Sequence, residues 1–572
     1  MKKKNPFYSY LCLGFLILLS GPVVADSSDY EDLVQLFREF REFQEAKLTN
    51  GVPDYTPAAM EEKYRGLKEF QQQLAKLDIE SWPISKKVDY HLVRAEMNAL
   101  EFHHKEHRPW ARDPGFYSMM QGDAGASVNA PKFFEPLFDL LGFSEFGPPP
   151  PVDEPDAALS KEQQASIRAT LVAIPKLYDQ ARSNLTEPAA DLAELAVRNH
   201  TREVSIYEEV AAMLEDEHPD IAANARRAAD ALSDYAKWLE NNQADMAPYA
   251  GLGKENYDWW MRNVQLSPWG WQESNQIIQG EYNRIITFLK LEEQRNRDLP
   301  PLDVTMSEKE WNHSLREALH HVVDFMRDAE IMTVDDWVDP SDYYADGPRG
   351  AEGDLDDSPS DEFLPENTSI DTKVRQREIL PGETHEYIGH MLDYQRQEKI
   401  TLSPIRSAER RFNMGSMRTE GWAVALEELL MQAGVLDDRP RKGREMEYLM
   451  NASHMSLAIP DMKMHANEIN LTEARQLCAA IMPRGWSQED ERMVWFEMQS
   501  NLRNPGGFHS NVVTGKAYFM KLFRERAQEL GDDFVIRDFV DDFFSSGIIP
   551  MSLIRWEMTG NSDDVTLVTE EL

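Results

Sequence analysis

The chain of 572 residues carries 100 acidic against 60 basic side chains, a formal net charge of −40, with 42% hydrophobic residues. So negative a surface repels nucleic acid and anionic membranes, which makes both poor partners and argues against nucleic-acid binding. The apolar content suffices for one large core or two of intermediate size.

Residues 1–25 begin Met-Lys-Lys-Lys, pass through an apolar stretch at 11–19 and reach Val-Val-Ala before Asp26. This is the pattern of a secretory signal peptide cut after Ala25, with an apolar part too short to span a bilayer. Cys12 lies inside it without the small preceding residue that lipid attachment needs, so an exported product, periplasmic or secreted, is expected over a lipoprotein. Cleavage leaves a net charge of about −43 and Cys478 as the remaining cysteine, so stability must come from the core and not from a disulfide. No later segment is long and apolar enough for stable membrane insertion.

Residues 26–245 read as an N-terminal helical region. Leu33, Leu36, Phe37, Phe40 and Phe43, then Val88, Leu92, Ala95, Met97 and Leu100, recur at helical spacing with charge between them. RPWARDP at 108–114 breaks the run, as do Gly147 and the prolines after it. Helices resume at Ser160, where Glu162 and Gln163 supply a start signal. In residues 246–333 the tryptophans 259, 260, 269 and 271 precede a long helix at 273–294; such a cluster belongs in a core more often than along a groove. Residues 334–372 form an acidic loop without the acid spacing of a calcium loop, and its position just before residues 380–390 suggests a lid over that segment. Residues 373–572 return to helices. Strand-like alternation is scarce, and the chain has no internal repeat, phosphate loop or nucleophile elbow, so the fold class is mainly α: a large multi-helix fold.

The chemistry concentrates in LPGETHEYIGH at 380–390. Zinc hydrolases with an H-E-x-x-H helix use two histidines one turn apart as ligands and the intervening glutamate as proton acceptor. Here His385 and His390 are five apart, and on a regular helix five steps separate the rings by about 140°. A one-residue bulge of π type brings them onto one face. Without it, Glu383, Glu386 and His390 align instead, or the helix is merely an exposed polar one.

A third ligand is offered by Glu420, thirty residues on, with Glu427 seven further along the same face of an apolar helix. Burying both carboxylates requires a positive partner, and a metal ion or Arg418 answers that requirement. Asp461 and His465 form an i, i+4 pair in which the acid can fix the imidazole's tautomer, and His509 comes shortly after two glycines that suit close approach by a ligand. The remaining histidines lack acids at ligand spacing and read as structural.

These stretches, in this order, resemble the bacterial family known as domain of unknown function 885 (DUF885): residues 82–117, 253–294, 384–392, EGWA at 420–423 with Glu427, 461–474 and 539–558. That family is similar to the helical zinc peptidases of the gluzincin kind, with a deep central cleft. The resemblance implies Zn2+ held by His385, His390 and Glu420, Glu386 as general base, and a short peptide or small amide as substrate. On this reading His465 and His509 are expected to stabilise an oxyanion or position substrate, Arg555 or Lys516 to bind a substrate carboxylate, and Glu383, Glu427, Asp461 and Arg418 to support the site or meet substrate. The family's H-E-x-x-P-G-H is here one residue shorter, with Ile388 in place of proline, and His509 or Asn511 stands where a tyrosine is usual. Two other readings compete: a binding protein that kept the fold but lost the metal, and a metal hydrolase of a non-peptide amide or ester.

Overall fold

The computed structural model describes residues 28–119, 131–142, 159–345, 364 and 368–569. The expected signal peptide at 1–25, the proline run after Gly147 and most of the acidic loop, with its expected role as a lid, lie outside the described residues.

The chain is mainly helical, as the spacing of its apolar residues predicts. Among the described residues β-structure is limited to the hairpin Leu48–Thr49 with Val52–Pro53 and a bridge between Ala189 and Ala247. Local signals set many helix ends. Ser160 Oγ accepts the Gln163 N–H while the Gln163 side chain accepts the Ser160 N–H, at the start of the helix Lys161–Asn184. At the far end of Ser416–Ala433, Gly434 closes the helix at φ 109°, a left-handed conformation that glycine adopts without strain.

The main core joins the helices Ser28–Phe43 and Ile84–Phe102 to those of the C-terminal half, from Tyr257 through Val568. A second core lies within Lys161–Asn184, Ala190–Leu214 and Pro219–Asn242. The tryptophan cluster belongs to the main core: Trp260 is fully buried, and Trp259 stacks on Phe102 with ring centroids 5.4 Å apart. No described helix is long and apolar enough to cross a membrane.

Three helices frame the site. Ser416–Ala433 is buried on nearly every face, with His509–Leu530 against one side and the segment around His390 against another. Glycine permits both approaches. A Cβ on Gly515 would lie 2.0 Å from the Met417 carbonyl oxygen, and one on Gly389 would lie 2.6 Å from the Ala423 Cβ. Backbone therefore meets backbone, and Glu420 and Glu427 are carried into the middle of the molecule. Gly443–His465 covers the remaining side.

Candidate metal centre

Thr384–Met391 is a π-helix, set between the short α-helix Leu380–Glu383 and Leu392–Lys399. Its hydrogen bonds reach back five residues, as from the Leu392 N–H to the Tyr387 carbonyl, so residues five apart share a face. His385 and His390 accordingly turn to one side, with ring centroids 4.7 Å apart. The alternative grouping of Glu383 with Glu386 and His390 does not form. Glu383 instead accepts from Arg375 Nη1 at 2.7 Å.

Three ligand atoms face one another. His385 Nε2 and His390 Nε2 are 3.0 Å apart, and Glu420 Oε2 lies 3.7 Å from the first and 3.3 Å from the second. A tetrahedral zinc with bonds of about 2.0–2.1 Å holds its ligand atoms about 3.3–3.4 Å apart, so these separations straddle the required value. The donor set, two imidazoles and one carboxylate, also suits an ion that keeps a position open. The side chains of His385, His390 and Glu420 are 12%, 17% and 22% exposed, so that position can be reached from solvent.

Behind the candidate ligands stand further polar side chains. Glu427, its side chain wholly buried, accepts the His385 Nδ1–H at 2.7 Å and the Asn451 Nδ2–H at 3.1 Å. This fixes the tautomer that leaves His385 Nε2 free to bind an ion. His454 stacks on His385 at 5.6 Å, with its Nε2 3.8 Å from the same Glu427 oxygen. His385, Glu427 and His454 form a second grouping of possible ligand atoms that shares His385 with the first.

Electrostatics favour a cation. Burial opposes ionisation of Glu420, but His390 and His385 outweigh it and hold its carboxyl at about 2. Burial likewise opposes protonation of His385, yet the Glu427 hydrogen bond and the charges of Glu427, Glu386 and Glu420 carry that imidazole up to about 9. The cluster thus retains a proton where an ion would replace it.

Glu386, the most exposed member at 47%, is next to His385 and accepts from Arg375 Nη2 at 3.4 Å. Burial raises its pKa, but His385 and Arg375 bring it below the usual carboxylate value, so it is ionised at neutral pH.

Other sequence-predicted residues take different places. Arg418 is buried against Asp393 and does not meet Glu420 or Glu427 of its own helix. Arg555 is committed to Glu525 at 2.6 Å and lies 3.5 Å from Asp564. His465 is fully buried, 3.5 Å from Asp461, with its Nε2 against the Asn501 carbonyl at 2.9 Å. His509 opens a long helix, with Nδ1 3.0 Å from Asn501 Oδ1 and its ring 6.4 Å from His454. Asn511 is buried and donates to the Gly507 carbonyl. Lys516 donates to Glu281, Glu428 and Asn451. Lys516, Glu281 and Glu428, with Ile277, Arg284 and Met520, help line an open cavity of about 440 Å³ whose wall does not include the three candidate ligands.

His454 and Asn451 were not legible as site residues from ligand spacing. The signal that finds them is a polar stripe, Glu447, Asn451, His454, Asp461 and His465, at steps of four, three, seven and four on a mostly buried helix.

No curated protein matches the sequence. Among solved structures, one described as "a putative lipoprotein of unknown function from Shewanella oneidensis" superposes with a TM-score of 0.67 at 18% identity, covering 93% of this chain and 98% of its own. Another, "the putative lipoprotein from Colwellia psychrerythraea", gives 0.62 at 13% identity, covering 93% and 99%. At such identity the likeness speaks to the fold alone. The family described as "Bacterial protein of unknown function (DUF885)" matches residues 44–290 and 372–558, most of the chain, and the protein belongs to that family.

Proposed function

We propose that the protein is an exported zinc-dependent hydrolase of short peptides, with His385, His390 and Glu420 as metal ligands and Glu386 as general base. The observation that carries this reading is the convergence of the three ligand atoms at separations of 3.0, 3.3 and 3.7 Å on one side of the π-helix. A zinc ion bound there supplies Lewis acidity toward a carbonyl oxygen and acidifies water. Glu386 takes a proton from the attacking water on its carboxylate and passes it to the departing amine. Arg375 orients Glu386, and Glu427 holds the His385 ring. His509, one imidazole removed from His385 through His454, is better situated than His465 to meet substrate. A groove leading to the centre, as in helical zinc peptidases, belongs to this proposal. So does export, which the leader-like residues 1–25 support and which accords with the description of both solved neighbours as lipoproteins.

The test is hydrolysis of a short-peptide library by zinc-loaded protein beside its Glu386→Gln variant. Expected is cleavage by the parent and a loss of roughly 100-fold or more in the variant, with zinc still bound. A parent that cleaves none of the peptides, or a variant as active as the parent, would overturn the reading.

A further inference from the structure

Glu427 is itself oriented, and the chain of contacts continues outward. Asn451 Nδ2 donates to Glu427 Oε2 at 3.1 Å and to Glu447 Oε1 at 2.7 Å, while Asn451 Oδ1 accepts from Lys516 Nζ at 2.7 Å. An ammonium has donors and no acceptor, so it determines which end of the amide faces it. The oxygen turns to Lys516, and the NH2 must turn to the two glutamates. Lys516 is fixed in its turn: it is buried on the helix His509–Leu530 and also donates to Glu428 at 2.8 Å and Glu281 at 2.9 Å. Arg284 closes the ring on its far side by pairing with the same two acids.

We propose that Lys516 is a positioning residue for the metal centre, acting through Asn451 and Glu427 to hold the His385 ring with Nε2 toward the ion. Each link has one donor and one acceptor with a single allowed sense. Lys516 polarises the Asn451 amide, Asn451 occupies Glu427 Oε2, and Glu427 Oε1 is left to take the His385 Nδ1–H. The relay spans three helices and the π-helix, so it also couples their packing to the geometry of the ligands. A substrate carboxylate is not the partner of Lys516 in this arrangement, because its three protons already have three acceptors. The inference rests on the proposed metal site.

Zinc affinity of the full-length, metal-free protein, measured by competition with a chromophoric chelator, tests it, together with the visible ligand-field spectrum after cobalt loading. Asn451→Ala and Lys516→Met should each weaken zinc binding by about tenfold and alter the cobalt bands, the usual scale for outer-shell partners. Arg284→Met, which opens the same ring on the side away from Asn451, should lower the melting temperature and leave zinc affinity at the parent value. Should Lys516→Met fail to fold, Asn451→Ala carries the test, since it leaves Lys516 with both carboxylates. Unchanged affinity in Asn451→Ala, or an equal loss in Arg284→Met, would overturn the relay alone. A parent that takes up no zinc would remove the metal site, and the relay with it.

Discussion

Taking a carboxylate out of water costs several kcal/mol unless donors surround it, and Glu427 has no solvent contact. Its acceptors are used by His385 and Asn451, at 2.7 and 3.1 Å. Glu427→Gln keeps the shape but removes the charge that holds the His385 proton on Nδ1. Zinc affinity is expected to fall by about 10- to 100-fold with little change in melting temperature; chelator competition measures the first and thermal unfolding the second. At this scale much of the site was legible. Two imidazoles flanking a carboxylate, and two glutamates seven apart on an apolar helix, are patterns that spacing reveals. The partner of Arg418 was not legible, because Asp393 lies 25 residues away and reaches it only through the fold. For the same reason the direction taken by Lys516 could not be read from its neighbours in sequence.

The π-helix is the element on which the proposed ligand set depends. Five-residue spacing is unfit for a shared ion on a regular helix and fit on this one, so sequence alone defined the condition and the fold meets it. Gly389 sits where the π-helix meets Ser416–Ala433, and an added Cβ there would meet both the Cβ and the Cα of Ala423, at 2.6 and 2.9 Å. Gly389→Ala is therefore expected to cost about 1–3 kcal/mol by overpacking, and, because the displaced backbone carries His390, to weaken zinc binding as well. Urea unfolding of the metal-free protein gives the first quantity. A variant with parental stability would show that the two helices can separate without cost. Helix starts such as Ser160 with Gln163 were plain from the sequence, because a cap is a local interaction. The grouping of helices into cores was not, since Ile84–Phe102 packs with the distant C-terminal half and Lys161–Asn184 does not.

For the whole molecule, buried histidines set the response to acid. Burial lowers the pKa of His91, His103 and His200 to about 3, with nearby cations adding to the effect at His91 and His200. Unfolded imidazoles take up protons near pH 6.5, so between there and about pH 3 the unfolded chain binds more protons than the folded one. The stability that these three neutral rings contribute is full above pH 6.5 and is lost as the pH falls through that window. His200 is the cleanest case, fully buried with neither ring nitrogen hydrogen-bonded among the described residues. His200→Phe should flatten the dependence by up to about one proton, read as a smaller drop in urea midpoint between pH 7 and pH 4.5. An unchanged drop would mean that His200 does not contribute. The same fold that buries these rings away from acids gathers His385, His390 and Glu420 beside acids and leaves them within reach of solvent, and that contrast separates the core imidazoles from the candidate site. The most direct measurement is zinc content by elemental analysis after reconstitution, for the parent and for His390→Ala and Glu420→Ala. The account predicts one tightly held zinc per parent chain and its loss in both variants; a parent that retains none, or variants that retain as much as the parent, would contradict it.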